Sequence, residues 1–279
     1  MKLYDFDGMF DKKLSDYIAK NVGKYKEDEW EDIIPKLYKQ FGDVYIKSVG
    51  NTPNGFYAAM TDKELISALK THLKQGVPVS EFLCSAIENR CDTSLLLPLL
   101  DGTEDEREYA VNLIGSSDGA IKKYMQMIVL PDLDEDFKSR LADNIKEKAD
   151  LVLDEAVENY EKGIEKEFML EIMSRSVVPS EKVFQILVKE FRSDPDNVPL
   201  HASYLASFGD SRALEYLLDK IDEEGISFIE YKELLLAIEA LGGKYDKPRD
   251  FSNDPYYKII TENNSSFADI FSNLDDGDK

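Results

Sequence analysis

The sequence contains few cysteines, few histidines and few basic residues. Of its 279 residues, 2 are Cys and 2 are His, and 34 Lys and Arg stand against 56 Asp and Glu, so the net charge is −22. Cys84 and Cys91 lie seven residues apart, about 10 Å along one helix, which is too far for a disulfide. A zinc site would need further ligands, and His72 and His201 are the only histidines. We therefore expect two free, buried thiols in a reducing compartment, no metal and no cofactor.

Long apolar runs are absent as well. No stretch reaches the roughly 18 apolar residues of a membrane span, and Asp5 and Asp7 interrupt the segment where a signal peptide would be apolar. We therefore expect a cytoplasmic protein with no membrane partner. The sequence does not set the oligomeric state, and a monomer is favoured. The charge of −22 repels phosphate backbones. Direct nucleic-acid binding is disfavoured for that reason, and basic proteins are the expected partners.

Apolar residues are plentiful, with 14 Phe and 15 Tyr, and they follow a repeating pattern. An apolar-periodic helix, a short turn, a second helix and a break recur six times. The breaks fall near residues 92, 118, 150, 180, 210 and 243, which are 26 to 33 residues apart. One pair of helices cannot bury its apolar stripe alone, so the pairs must stack. The pattern predicts an all-α fold: an α-α superhelix, or solenoid, of about six helical hairpin repeats with capping helices at both ends.

Two segments resemble HEAT repeats. Residues 209–221 are similar to the first HEAT helix, Gly-Asp-x-x-Ala-Ile-Pro-x-Leu-x-x-Leu, with Gly209, Asp210 and Ala213 in place and Glu215 at the proline position. Residues 106–115 are similar to the second HEAT helix, Val-Arg-x-x-Ala-Ala-x-Ala-Leu-Gly. The resemblance covers residues 92–118 and 183–243, whereas 119–182 share only the periodicity. It implies a solenoid whose concave side is lined by second helices.

The chain is expected to have three parts. Residues 1–60 form an N-terminal helical cap, 61–243 hold the HEAT-like repeats, and 244–279 form a linker with a C-terminal helical cap and tail. Short helices are predicted at 256–260 and 267–274. Residues 44–49 are rich in β-branched side chains, but a strand there has no partner.

One motif favours an enzyme instead. Asp5-Phe-Asp7-Gly8-Met9 resembles the first motif of haloacid-dehalogenase-type phosphatases, in which the first Asp is a nucleophile and the second an acid or base, with Mg²⁺ on the phosphate. That fold needs alternating strands and helices, and residues 60–243 contain almost no strand pattern. A magnesium-dependent phosphatase is therefore the alternative, and we expect no enzyme.

The expected function is a non-enzymatic scaffold, adaptor or inhibitor whose acidic concave face binds a basic or helical protein segment. Glu230 and Glu233 are the candidates for that face. Arg107 lies among four carboxylates; it is a third candidate, although pairing with turn carboxylates of neighbouring repeats is favoured for it. A further alternative is an acidic mimic of nucleic acid that inhibits a DNA- or RNA-binding protein.

Overall fold

The computed structural model describes residues 2–261, and this part of the chain is all-α. It contains fifteen bounded α-helices and no strand; the one isolated bridge joins Ile46 to Asn51 within a turn. The prediction of an all-α fold is therefore confirmed, and the β-branched residues 44–49 do not form a strand. The helices are α1 (Phe6–Lys20), α2 (Glu29–Phe41), α3 (Pro53–Ala58), α4 (Asp62–Gln75), α5 (Glu81–Arg90), α6 (Thr93–Leu96), α7 (Glu104–Ile114), α8 (Asp118–Ile128), α9 (Glu135–Lys146), α10 (Leu153–Glu161), α11 (Lys166–Ser174), α12 (Glu181–Ser193), α13 (Val198–Phe208), α14 (Ala213–Ile221) and α15 (Phe228–Ala240).

All six predicted helix pairs are present. They are α4 with α5, α6 with α7, α8 with α9, α10 with α11, α12 with α13, and α14 with α15. Residues 255–261 are also helical, close to the predicted 256–260. The helix predicted at 267–274 lies outside the described residues, as does the end of the tail.

Local signals explain where these helices begin and end. Thr61 and Glu64 form a capping box at the start of α4, and Ser227 and Glu230 form another at the start of α15. The helix α13 ends at Gly209, whose φ of 76° lies in the left-handed region that favours glycine. Gly209 therefore stops one helix, four residues before the next one begins.

The chain divides into two compact units, residues 1–123 and 124–279. The boundary falls inside the predicted repeat region, and the predicted boundaries of the caps stay predictions.

The core of the first unit is aromatic. Phe6 of α1 is fully buried and meets the rings of Phe56, Tyr57 and Phe82, while Tyr38 stacks on Phe82 with 4.6 Å between ring centroids. Helices α1, α2 and α3 thereby pack against α5.

In the second unit, the second helices of the pairs form a continuous row. Helix α11 packs against both α9 and α13, and α13 packs against α15. The first helices α10, α12 and α14 each pack against their own partner. The side chains between these layers are apolar and buried, as Met173, Leu205 and Ile238 illustrate. This arrangement covers the apolar stripe of each pair with the next pair.

Polar contacts between successive pairs recur at a nearly constant sequence separation. Hydrogen bonds join Lys138 to Glu165, Ser176 to Asp150, Lys146 to Glu171 and Arg212 to Glu181, over 27, 26, 25 and 31 residues. This separation is close to the 26 to 33 residues between the predicted breaks. Corresponding positions of consecutive pairs therefore meet, as a helical repeat fold requires.

Replacing Phe6 by Ala is expected to destabilise the first unit by about 3–5 kcal/mol, because it empties the centre of the aromatic core. Trp30 is the only tryptophan and belongs to this unit, so its fluorescence during urea unfolding reports on the unit directly. Tyr45→Ala is the control, since Tyr45 is 64% exposed. Equal unfolding midpoints for the two variants would contradict the assignment of Phe6 as a core residue.

Candidate functional site

Arg107 lies on α7 and is partly exposed. It forms no ion pair with any residue between 2 and 261, and the carboxylate next to it, Glu106, lies 3.7 Å from Lys70 instead. The expected pairing of Arg107 with turn carboxylates is therefore not found. Arg212 has that role: its guanidinium binds Asp210 and Glu181, each at 2.7 Å, and lies 4.1 Å from the ring centroid of Phe184.

Glu230 and Glu233 both lie on α15, in the row of second helices. The Glu230 carboxylate accepts the backbone N–H of Ser227 at 2.7 Å, so it is engaged at the start of its own helix. Glu233 is partly exposed and has no ion-pair partner in the described chain. Both belong to the second unit, whereas Arg107 belongs to the first. The three residues therefore do not form one site within a unit.

The pair Asp5 and Asp7 lies at the start of α1. Asp5 caps the helix by accepting the Gly8 N–H at 2.8 Å, and Asp7 accepts the Tyr38 hydroxyl at 2.5 Å. Burial raises the pKa of the Asp7 carboxyl, although the bond from Tyr38 acts in the opposite direction. In the phosphatases this motif ends a strand, whereas here it begins a helix, so the resemblance does not extend to the fold. Residues 2–261 hold no group of three or more His, Cys, Asp or Glu side chains arranged for a metal ion.

The two cysteines are free, as expected, but they are only partly buried, whereas we expected buried thiols. Burial raises the pKa of the Cys84 thiol to about 12 and also raises the pKa of Cys91. Because the thiolate is the nucleophile, neither thiol is activated at neutral pH.

Two cavities lie between the first helices of the second unit, and the sequence reasoning missed both. The first, here named the acidic groove, lies between the end of α12 and α14 and has a volume of about 610 Å³. Its lining is Phe191, Arg192, Pro195, Glu215, Tyr216, Asp219, Lys220 and Glu223.

Two carboxylates of the acidic groove share one face of α14. Glu215 and Asp219 are spaced four residues apart, so they are neighbours along the helix surface, and Glu223 lies in the turn just beyond the end of the helix. Glu223 is paired with Lys220 at 2.6 Å, whereas Glu215 and Asp219 are exposed and have no ion-pair partner within residues 2–261. The groove therefore presents two unpaired carboxylates beside the ring of Tyr216.

The second cavity, here named the lysine pocket, lies between the α10–α11 turn and α12. Its volume is about 670 Å³, and three of its eight lining residues are lysines. Its lining is Tyr160, Glu161, Gly163, Lys166, Lys182, Gln185, Ile186 and Lys189.

Helix periodicity could have indicated part of these linings. Helical spacing puts Glu215 and Asp219 on one outward stripe of α14. The same spacing puts Lys182 and Lys189 on one outward stripe of α12. The sequence does not indicate whether such a stripe faces open solvent or a groove, because that depends on the distance to the first helix of the next pair.

The fold and these cavities define an all-α protein built from consecutive packed helix pairs, with charged grooves between its first helices. No family profile, curated protein or solved structure matches this chain. None of the helices between residues 2 and 261 combines the length and the apolar character that crossing a membrane requires.

Replacing Asp7 by Asn is expected to raise the free energy of unfolding at pH 7. The folded-state pKa of Asp7 lies above its ordinary value of 3.8, so the folded protein binds this proton more readily than the unfolded chain does. Ionisation of Asp7 therefore lowers the free energy of unfolding of the wild type as the pH rises through the folded-state pKa. The difference in free energy of unfolding between the wild type and Asp7→Asn should vanish below pH 3.8.

Urea unfolding followed by Trp30 fluorescence at several pH values measures this effect. Asp16→Asn is the control, because it removes the same charge from an exposed position of the same helix. Destabilisation by Asp7→Asn at pH 7 that disappears at low pH would contradict the prediction, because it would mean that the Tyr38 bond outweighs burial.

Proposed function

We propose that this protein is a non-enzymatic, HEAT-like interaction module that binds a basic segment of another protein in the acidic groove. The observation that carries the proposal is the pair of unpaired carboxylates, Glu215 and Asp219, on one wall of a cavity of about 610 Å³. A scaffold, an adaptor and an inhibitor would all use such a site.

The shape and chemistry of the groove suit lysine and arginine side chains. Carboxylates four residues apart on a helix are separated by about 6 Å, so they are able to receive two cationic groups of one segment. The ring of Tyr216 offers an apolar surface for the aliphatic stems that lysine and arginine carry. A volume of about 610 Å³ is within the range of ordinary ligand pockets.

Charge on the rest of the molecule supports the same partner. A net charge of −22 attracts basic molecules at a distance and speeds encounter at low salt. Arg192 on the opposite wall is the one unpaired cation of the lining, and it opposes a basic ligand. The balance of unpaired groups is two carboxylates against one guanidinium, so the groove keeps a net charge of −1.

The proposal concerns the first helices, whereas we expected the binding face on the second helices. Glu233 on α15 stays a secondary candidate, because its carboxylate is partly exposed and unpaired in the described chain. Glu230 is a weaker candidate, because it already serves as a cap. Arg107 carries a positive charge, so it would repel a basic partner.

A fluorescein-labelled, lysine-rich helical peptide should bind with an affinity that falls as salt rises, measured by fluorescence anisotropy. The double variant Glu215→Gln/Asp219→Asn is expected to weaken binding about fivefold or more, because two exposed ion pairs are lost. Arg192→Gln should have the opposite effect and strengthen binding, since it removes the like charge.

The matched control is Asp154→Asn/Glu155→Gln, which removes two exposed carboxylates of α10 that do not line the groove. It should change the affinity by less than about twofold. Equal weakening by both double variants would mean that only the net charge attracts the peptide. Binding that is insensitive to salt would also contradict the proposal.

A further inference from the structure

We propose that the lysine pocket binds a small ligand that carries two or more negative charges, of the polyphosphate or phosphate-ester class. This site is separate from the acidic groove and does not rest on the function proposed for that groove. It lies between the first helices α10 and α12, and its cations come from two different elements of the chain.

The lysines approach the pocket from two sides. Lys182 and Lys189 lie two turns apart on α12, with Gln185 between them, while Lys166 is the first residue of α11. Two turns of helix separate the α12 lysines by about 10 Å along the axis. A ligand with charges at two points therefore matches the arrangement better than a single small ion does.

The carboxylates nearby neutralise these lysines only in part. Glu161 pairs with Lys182 at 2.9 Å. Glu190 lies 3.7 Å from Lys166 and 3.8 Å from Lys189, beyond hydrogen-bond distance, and it also accepts the hydroxyl of Tyr160. Two carboxylates against three ammonium groups leave a net charge of +1 in a chain whose net charge is −22. Each ammonium has three donors, so most of them stay open to a ligand.

The turn before α11 keeps another carboxylate out of the pocket. Glu165 is the one non-glycine residue with positive φ among residues 2–261, at 46°. Its carboxylate binds the buried ammonium of Lys138 at 2.7 Å, and Lys138 does not line the pocket. The ammonium of Lys166 lies 5.0 Å from the centroid of the Tyr160 ring, a cation–π contact between two residues that line the pocket.

The size of the pocket and its apolar side chains indicate the class of ligand. A volume of about 670 Å³ exceeds that of a single phosphate ion, and Tyr160 and Ile186 offer apolar contact for an organic group. Lysine binds phosphate as a point charge and does not impose the planar geometry that arginine requires. Because the pocket has three lysines and no arginine, we expect it to select a ligand by its number of negative charges more than by its shape.

Isothermal titration calorimetry with sodium tripolyphosphate, at constant ionic strength, tests this proposal on the full chain. We expect saturable binding with one site per chain. The double variant Lys182→Gln/Lys189→Gln should weaken it about tenfold or more, because two of the three charge-assisted contacts are lost.

The matched control is Lys232→Gln/Lys244→Gln, which removes two exposed lysines outside the pocket and changes the net charge by the same amount. Its affinity for tripolyphosphate should stay within about twofold of wild type. Far-ultraviolet circular dichroism of both double variants establishes that they are folded. A titration of ATP in parallel tests whether an organic group adds affinity.

Two outcomes would overturn the proposal. One is the absence of saturable tripolyphosphate binding, and the other is equal weakening by both double variants. Binding of an oligoglutamate peptide without any binding of tripolyphosphate belongs to the first outcome, and it would assign the pocket to an acidic protein segment instead.

Discussion

Each helix pair of the second unit depends on the next pair to cover its apolar stripe. Met173 on α11, Leu205 on α13 and Ile238 on α15 are buried because these second helices lie in one row, each packed against its neighbour. A pair taken alone would expose these side chains to water, at a cost of about 1.5–3 kcal/mol for each. The stacking of pairs is therefore the constraint on which the helix positions, the turns and the grooves depend.

The charged grooves follow from the same stacking. Since the second helices make the continuous layer, the first helices α10, α12 and α14 leave cavities between them. Side chains on their outward stripes line those cavities without being buried in the core, so they are free to carry charge. One cavity has unpaired carboxylates and the other has lysines, so α12 lies between two neighbouring cavities of opposite charge.

Hydrogen bonds and ion pairs of residues in the turns connect the helix pairs. They also explain why some candidate residues have structural roles. Asp210 of the HEAT-like motif binds Arg212, which reaches Glu181 at the start of the previous first helix. Asp5 and Glu230 cap their own helices. Acidic residues are common at helix N-termini because the helix dipole favours negative charge there. A carboxylate at such a position is therefore a poor indicator of a binding site.

The sequence by itself determined the all-α class, the six helix pairs and their spacing, because apolar periodicity, caps and glycine stops act within a few residues along the chain. It did not determine which cation binds the turn carboxylates: Arg107 lies among four carboxylates in the sequence, yet Arg212 is the residue that pairs with Asp210 and Glu181. It also did not determine the two grooves. Their existence depends on distances between helices about 30 residues apart, and only the packing of the second helices sets those distances.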